Sequence, residues 1–139
     1  MQLIQFAGAL AFVVGLSALV MLNWRLLLKV VRQRRSNQIA IGIKGDAMER
    51  AVSAHRNFIE NTPINLIAPA VAFAMGYAAI AWIPVWMLLV GRLFHANGIQ
   101  NPREHETEFR NRALGMRITF GSSIAGVVVL VMAVVHRGF

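Results

Sequence analysis

Cysteine is absent from this chain of 139 residues, which excludes a disulfide framework, a thiol nucleophile and a thiolate metal site. Acid is scarce, with 6 Asp+Glu against 14 Lys+Arg, for a formal charge of +8. Charged residues of both signs make up 14% of the chain, where an ordinary soluble domain has about 25%. Disorder is excluded, because disordered chains join high charge to low hydrophobicity and 57% of these residues are apolar. A nucleic-acid binder fits the basic excess, but its cations should not lie between long apolar runs. The length allows one domain, with no separate catalytic module. The remaining class is a small integral membrane protein, and no nucleic-acid partner is expected.

Leu3 to Leu22 is a run of 20 residues without a charge, interrupted only by Gln5 and Ser17. At 1.5 Å per residue it matches the roughly 30 Å hydrocarbon slab. A signal peptide would want a basic region before a shorter apolar core. Here the cations Arg25, Lys29, Arg32, Arg34 and Arg35 follow the run, so it reads as an uncleaved first helix. From Asn61 to Gly91 stand 31 consecutive uncharged residues, too many for one span and too few for two, which need roughly 40. Ala81-Trp82-Ile83-Pro84 is the natural turn, with an interfacial Trp and a helix-starting Pro. Both helices must then extend beyond the run, one back through Glu49 to Glu60 and the other past Arg92 and His95 towards Ile99. Pro63 and Pro69 fall inside the second of the four helices, where lipid-embedded helices tolerate kinks. Ile118 to Val135 gives a fourth span of 18 uncharged residues, with 109–117 as its first turns. The segment from Asn97 to Glu106, with His105, reads as a polar loop. The expected fold is all-α, a single four-transmembrane-helix domain over 1–139, with helices at approximately 3–32, 47–80, 84–99 and 109–136.

With four spans, 13 of the 14 Lys and Arg fall at one end of the bundle and only Arg137 at the other. That split is a positive-inside signal. It puts the charged loops in the cytoplasm and both termini outside, and it explains most of the +8 charge as membrane orientation.

Charged groups within a span cost about 2.5–3.5 kcal/mol each and usually face the bundle interior. Arg56, Asn57 and Glu60 share one face of the second helix, Arg92, His95 and Ile99 one face of the third, and Arg112, Gly115 and Thr119 one face of the fourth. Glu60 is the only acid well inside the apolar region, so the surplus of cations suits an anion. The plainer expectation for Arg92 is an ion pair with Glu60 inside the bundle. For Arg25, Lys29, Arg34 and Arg35 it is interfacial snorkelling. His55 and His95 have no partners at metal-ligand spacing, and no metal is expected. Small residues recur at Gly8, Ala11, Gly15 and Ala18, and again at Gly115, Thr119, Ser122 and Gly126. Such stripes let membrane helices approach closely, within one chain or between chains.

Glu49-Arg50-Ala51-Val52-Ser53-Ala54-His55-Arg56-Asn57-Phe58-Ile59-Glu60 resembles the signature of the MAPEG family, the membrane-associated proteins of eicosanoid and glutathione metabolism. Val90-Gly91-Arg92-Leu93-Phe94-His95 is similar to that family's third-helix motif, and Asn111-Arg112-Ala113-Leu114-Gly115 to the start of its fourth helix. Lys44-Gly45-Asp46 and His95-Ala96-Asn97-Gly98 resemble the bacterial-type branch. The resemblance implies a homotrimer in a bacterial inner membrane, with glutathione as cofactor bound between subunits near the cytoplasmic face. By motif position Arg32, Arg56, Asn57, Glu60 and His95 would bind glutathione, and Arg112 would stabilise its thiolate. The chemistry is consistent. Two carboxylates suit Arg forks, Glu60 suits the ammonium, Asn57 suits either kind of group, and His95 can donate to a carboxylate. Lowering a thiol pKa of about 8.5 by two units takes about 2.7 kcal/mol. One charge-assisted hydrogen bond is worth about 1.5–3 kcal/mol, so Arg112 suffices in magnitude.

Three positions depart from the family's eicosanoid synthases. Ser53 stands in place of an Arg, Ile99 in place of a Tyr, and Ala113 where the prostaglandin synthase has a Ser. They argue against a dedicated eicosanoid synthase. The implied function is a glutathione transferase or peroxidase acting on lipophilic electrophiles or hydroperoxides from the bilayer. The alternative is a non-catalytic protein of the same fold that binds a membrane lipid or another anionic ligand. A four-helix drug exporter would need an acid in its first helix, and Leu3 to Leu22 has none. The topology predicts that a cysteine placed at Ser36 in intact cells is shielded from impermeant thiol reagents and labelled once the membrane is opened; labelling in intact cells would refute it.

Overall fold

The computed structural model describes residues 1–102 and 109–138, and among these the regular structure is helical, with no strand. Helix α1 runs Gln2–Ser36, α2 Asp46–Ala74, α3 Ala78–Gln100 and α4 Arg110–Arg137. Among the described residues α1, α3 and α4 are long and apolar enough to cross a membrane. At 29 residues, α2 has the length of a span, but its first half carries Asp46, Glu49, Arg50, Arg56 and Glu60. Of the expected polar loop, residues 103–106, including His105, lie outside the described residues. Asn97 to Ile99, which the expected third helix and loop shared, and Gln100 complete α3.

The turn between α2 and α3 lies at Met75, Gly76 and Tyr77, not at Ala81–Pro84. Gly76 takes a left-handed conformation, φ 90°, which costs glycine little. The Gly76 N–H donates to Phe73 O and the Tyr77 N–H to Ala72 O, a Schellman closure that satisfies the last carbonyls of α2. Pro84 therefore sits within α3, one turn and more past its start, and the Trp82 indole donates to Ala79 O at 2.9 Å rather than marking a chain reversal.

Central in the bundle, α3 touches each of the other three helices. Its apolar core joins Leu19, Leu22 and Leu26 of α1, Phe58 and Ala72 of α2, Val85, Leu88 and Leu89 of α3, and Val129 of α4. Phe12 and Phe73 stack with ring centroids 4.4 Å apart. Leu3, Phe6, Val13, Met21, Phe120, Ile124, Val127 and Val135 point outward, an apolar exterior suited to lipid.

The small residues of α1 and α4 pack within the chain. The Trp86 indole reaches past Gly15 to donate to Ala11 O at 2.9 Å, and Ser122 donates to Pro84 O at 2.8 Å. Helices α3 and α4 also approach closely, at Gly91 and Gly115. A Cβ on Gly115 would lie 2.5 Å from His95 N and 2.7 Å from Gly91 O. Both are backbone atoms that cannot swing aside, so Gly115→Ala forces α3 and α4 apart. It should destabilise the detergent-solubilised protein by about 1–3 kcal/mol in thermal unfolding, whereas Gly42→Ala, in open space, isolates the cost of a left-handed glycine alone.

Candidate functional site

The polar groups of the bundle gather in one seam where α2, α3 and α4 meet. At its centre is Arg92, 1% exposed. Its Nη1 donates to Asn57 Oδ1 at 2.6 Å. Nε and Nη2 both donate to Thr119 Oγ1, at 3.2 and 2.6 Å, and Nη2 also reaches Met116 Sδ at 3.6 Å. The Thr119 hydroxyl donates to Gly115 O at 2.9 Å, so its single proton and its lone pairs are all used. The expected Arg92–Glu60 ion pair does not form. Glu60 pairs instead with Arg56 on its own helix, 2.9 Å away, with side chains 54% and 75% exposed. Four residues on one helix separate these two, so the pair closes without crossing the bundle. Arg92 is neutralised by no carboxylate among the described residues and relies on neutral acceptors.

From Arg92 the seam continues along α2. The Asn61 amide donates to Asn57 O at 2.9 Å, the Asn65 amide to Asn61 O at 2.7 Å, and Ser123 of α4 donates to Asn65 Oδ1 and, at 3.0 Å, to Thr119 O. Asn57, Asn61 and Asn65 stand at i, i+4 and i+8, one stripe of the helix. That spacing was available in the sequence, and it would have extended the site beyond Asn57. Asn57 Oδ1 accepts from Arg92, one of the two bonds an amide oxygen can take.

Arg112 sits at the polar end of this seam, partly buried, its guanidinium 5.1 Å from the Phe109 ring centroid. It lines a cleft of about 420 Å³ whose wall also includes Asp46, Glu49, Arg50, Ser53 and Ile99. His95, 7% exposed, lies with Nδ1 3.1 Å from Arg112 O. A carbonyl only accepts, so Nδ1 donates this bond. His95 thus ties the first turn of α4 to α3 and holds Arg112 in place.

Within the chain the six expected site residues divide into groups. His95 and Arg112 meet directly, and Asn57 joins them through Arg92, Thr119 and Gly115. Arg56 and Glu60 are exposed on α2, outside the cleft wall. Arg32 of α1 faces a second cavity beside Arg50. Sequence reasoning passed over Asp46, Glu49 and Arg50 as site residues, although Glu49 and Arg50 open the signature segment; among the described residues the carboxylates that line the cleft with Arg112 are Asp46 and Glu49. Ser53 and Ile99, two of the three positions that depart from the eicosanoid synthases, both line the cleft, where small or apolar side chains replace an Arg and a Tyr. Among the described residues no group of three His, Asp or Glu could hold a metal ion.

The Arg92–Thr119 contact predicts a coupled pair. Thr119→Val strips acceptors from a buried cation, whereas Arg92→Met strips a donor from neutral oxygens, so the first should be the more destabilising. The double variant should lose less than the two singles together, by roughly 0.5–3 kcal/mol. Thermal unfolding of the four proteins in detergent checks this, and simple additivity would contradict it.

Among known proteins, the sequence profile of the MAPEG family matches residues 7–132 of the chain. No curated protein matches, and no solved structure does.

Proposed function

The chain belongs to the MAPEG family, and we propose that it is a membrane-bound glutathione transferase, with peroxidase-like capacity toward lipid hydroperoxides. The observation that carries this reading is Arg112, a guanidinium set in a polar cleft at the start of an otherwise apolar helix and steadied by His95. In this reading Arg112 holds the glutathione sulfur as thiolate. The thiolate attacks a lipophilic electrophile delivered from the bilayer. The bond formed is carbon–sulfur, and the electrophile's leaving group departs with the electron pair. With a hydroperoxide, two glutathiones reduce the O–O bond to an alcohol and water and become the disulfide.

Asn57 Nδ2 donates to the peptide part of glutathione, Arg32 and Arg56 take its carboxylates, Glu60 takes its ammonium, and His95 positions Arg112 beside it. Arg32 and the Arg56–Glu60 pair lie outside the cleft of their own subunit, so a full set of contacts requires a neighbouring copy, in keeping with a homotrimer. The same reading sets the charged loops on the cytoplasmic side of a bacterial inner membrane and both termini outside. A second reading, a non-catalytic protein binding a lipid or another anion, is favoured by Ser53 and Ile99, which leave the cleft short of donors.

Purified protein with glutathione should show thiolate absorbance at neutral pH that Arg112→Ala removes, as expected for the loss of about 2.7 kcal/mol of thiolate stabilisation, or two pKa units. Glutathione should also raise the unfolding temperature of both proteins, since a bound ligand stabilises by mass action. Absence of both effects in the wild type would leave the non-catalytic reading standing.

A further inference from the structure

At the end of the bundle away from the Gly76 turn, α1, α2 and α3 enclose a second cavity of about 340 Å³. Its polar wall consists of Lys29, Arg32 and Gln33 from α1, Arg50 from α2 and Gln100 from α3, with two alanines of α2 leaving the space open. Among the described residues no carboxylate lines it. None of the three cations forms an ion pair, since the described residues contain only that of Arg56 with Glu60. The Lys29 ammonium donates to Gln100 Oε1, which occupies the acceptor side of that amide and leaves its NH₂ as a further donor. The wall therefore carries three positive charges and an excess of N–H groups.

We propose that this cavity is a binding site for a phosphate group. A carboxylate has two oxygens in one plane, and a single arginine fork saturates it. Cations converging from two helices, with amide donors beside them, suit a tetrahedral oxyanion with oxygens in several directions. The depth is also right. The cavity lies beyond the apolar stretch of α1, near the last turn that carries Arg34 and Arg35, at the level where lipid phosphates stand. Orientation of the protein by positive charge explains a cationic end but not a walled cavity. Arg34, for comparison, spends its guanidinium on Ala40 O at 2.5 Å. The occupant is a phosphate ester, either the headgroup of an anionic lipid or a soluble molecule. The site stands whether or not Arg112 activates a thiol, and Lys29, which lines this cavity and not the Arg112 cleft and is unused in the glutathione reading, separates the two.

The test is the unfolding temperature of the protein in non-ionic detergent, titrated with phosphatidylglycerol in mixed micelles, with glycerol phosphate, or with glutathione. Phosphatidylglycerol should raise it saturably. The Lys29→Gln/Arg50→Gln double variant should need about tenfold more lipid or beyond, while Arg34→Gln/Arg35→Gln, which removes the same charge from the same end, should behave as wild type. Should the double variant fail to fold, Arg50→Lys and Lys29→Arg, which keep the charge but not the geometry, take its place and should each weaken the response. A matching response to glycerol phosphate identifies the occupant as a soluble ester and upholds the site. Equal loss in both charge-removing variants, or no response to either phosphate, overturns it. So does a glutathione response that vanishes in Lys29→Gln alone, which would make the cavity part of the glutathione site.

Discussion

The bundle is organised around a guanidinium in its interior that no carboxylate among the described residues neutralises. A lone cation in low dielectric is costly, and Arg92 is tolerable only because its N–H groups meet Asn57, Thr119 and Met116 at once. Those partners come from α2 and α4, while Arg92 itself is on α3. One side chain thereby fixes the relative rotation of three helices. Its neighbours follow from it. Thr119 must present its hydroxyl, Gly115 must supply the carbonyl behind it, and Gly91 must be small enough for α4 to come that near. Arg112, one turn before Met116, inherits its position from this arrangement and from His95.

A division of labour among the cations emerges. Arg92 is structural, Arg56 is held by Glu60 on an outer face, Arg112 looks into a cleft with carboxylates at its edge, and Lys29, Arg32 and Arg50 surround a cavity that no described carboxylate lines. Equal formal charges thus meet four electrostatic settings. Burial and the identity of the nearest oxygen decide which cation is free to meet a ligand.

Much of this was legible in the sequence and some was not. The four helices follow from the apolar runs, and the 31-residue run required charged residues on two helices, which the structure has on α2 and on α3, the latter long and apolar enough to cross a membrane. The position of the second turn was misread because Pro84 and Trp82 looked like interfacial signals, while Gly76, whose left-handed conformation closes α2, was passed over. Arg92 was rightly marked as needing a partner but was given Glu60, since opposite charges are the obvious pairing. Long-range contacts from Thr119 and Asn57 depend on how α4 rotates against α3, which periodicity does not set. Arg50 was counted toward topology alone, because the meeting of α1 with the start of α2 is a tertiary fact. The small-residue stripes were recognised, and only the packed bundle shows that they serve contacts inside one chain.

The distribution of Arg92's partners along the chain also bears on how the protein enters its membrane. A chain is made from its N-terminus, so when α3 emerges, Asn57 on α2 has been synthesised and Thr119 on α4 has not. During that interval the guanidinium has one of its two oxygen partners, in a medium where a charged side chain costs about 2.5–3.5 kcal/mol. A stable resting place for α3 exists only after Thr119 and Gly115 arrive. The third and fourth helices are therefore expected to settle into lipid as a joined hairpin, with α3 waiting at the translocation machinery or the interface until its successor is complete.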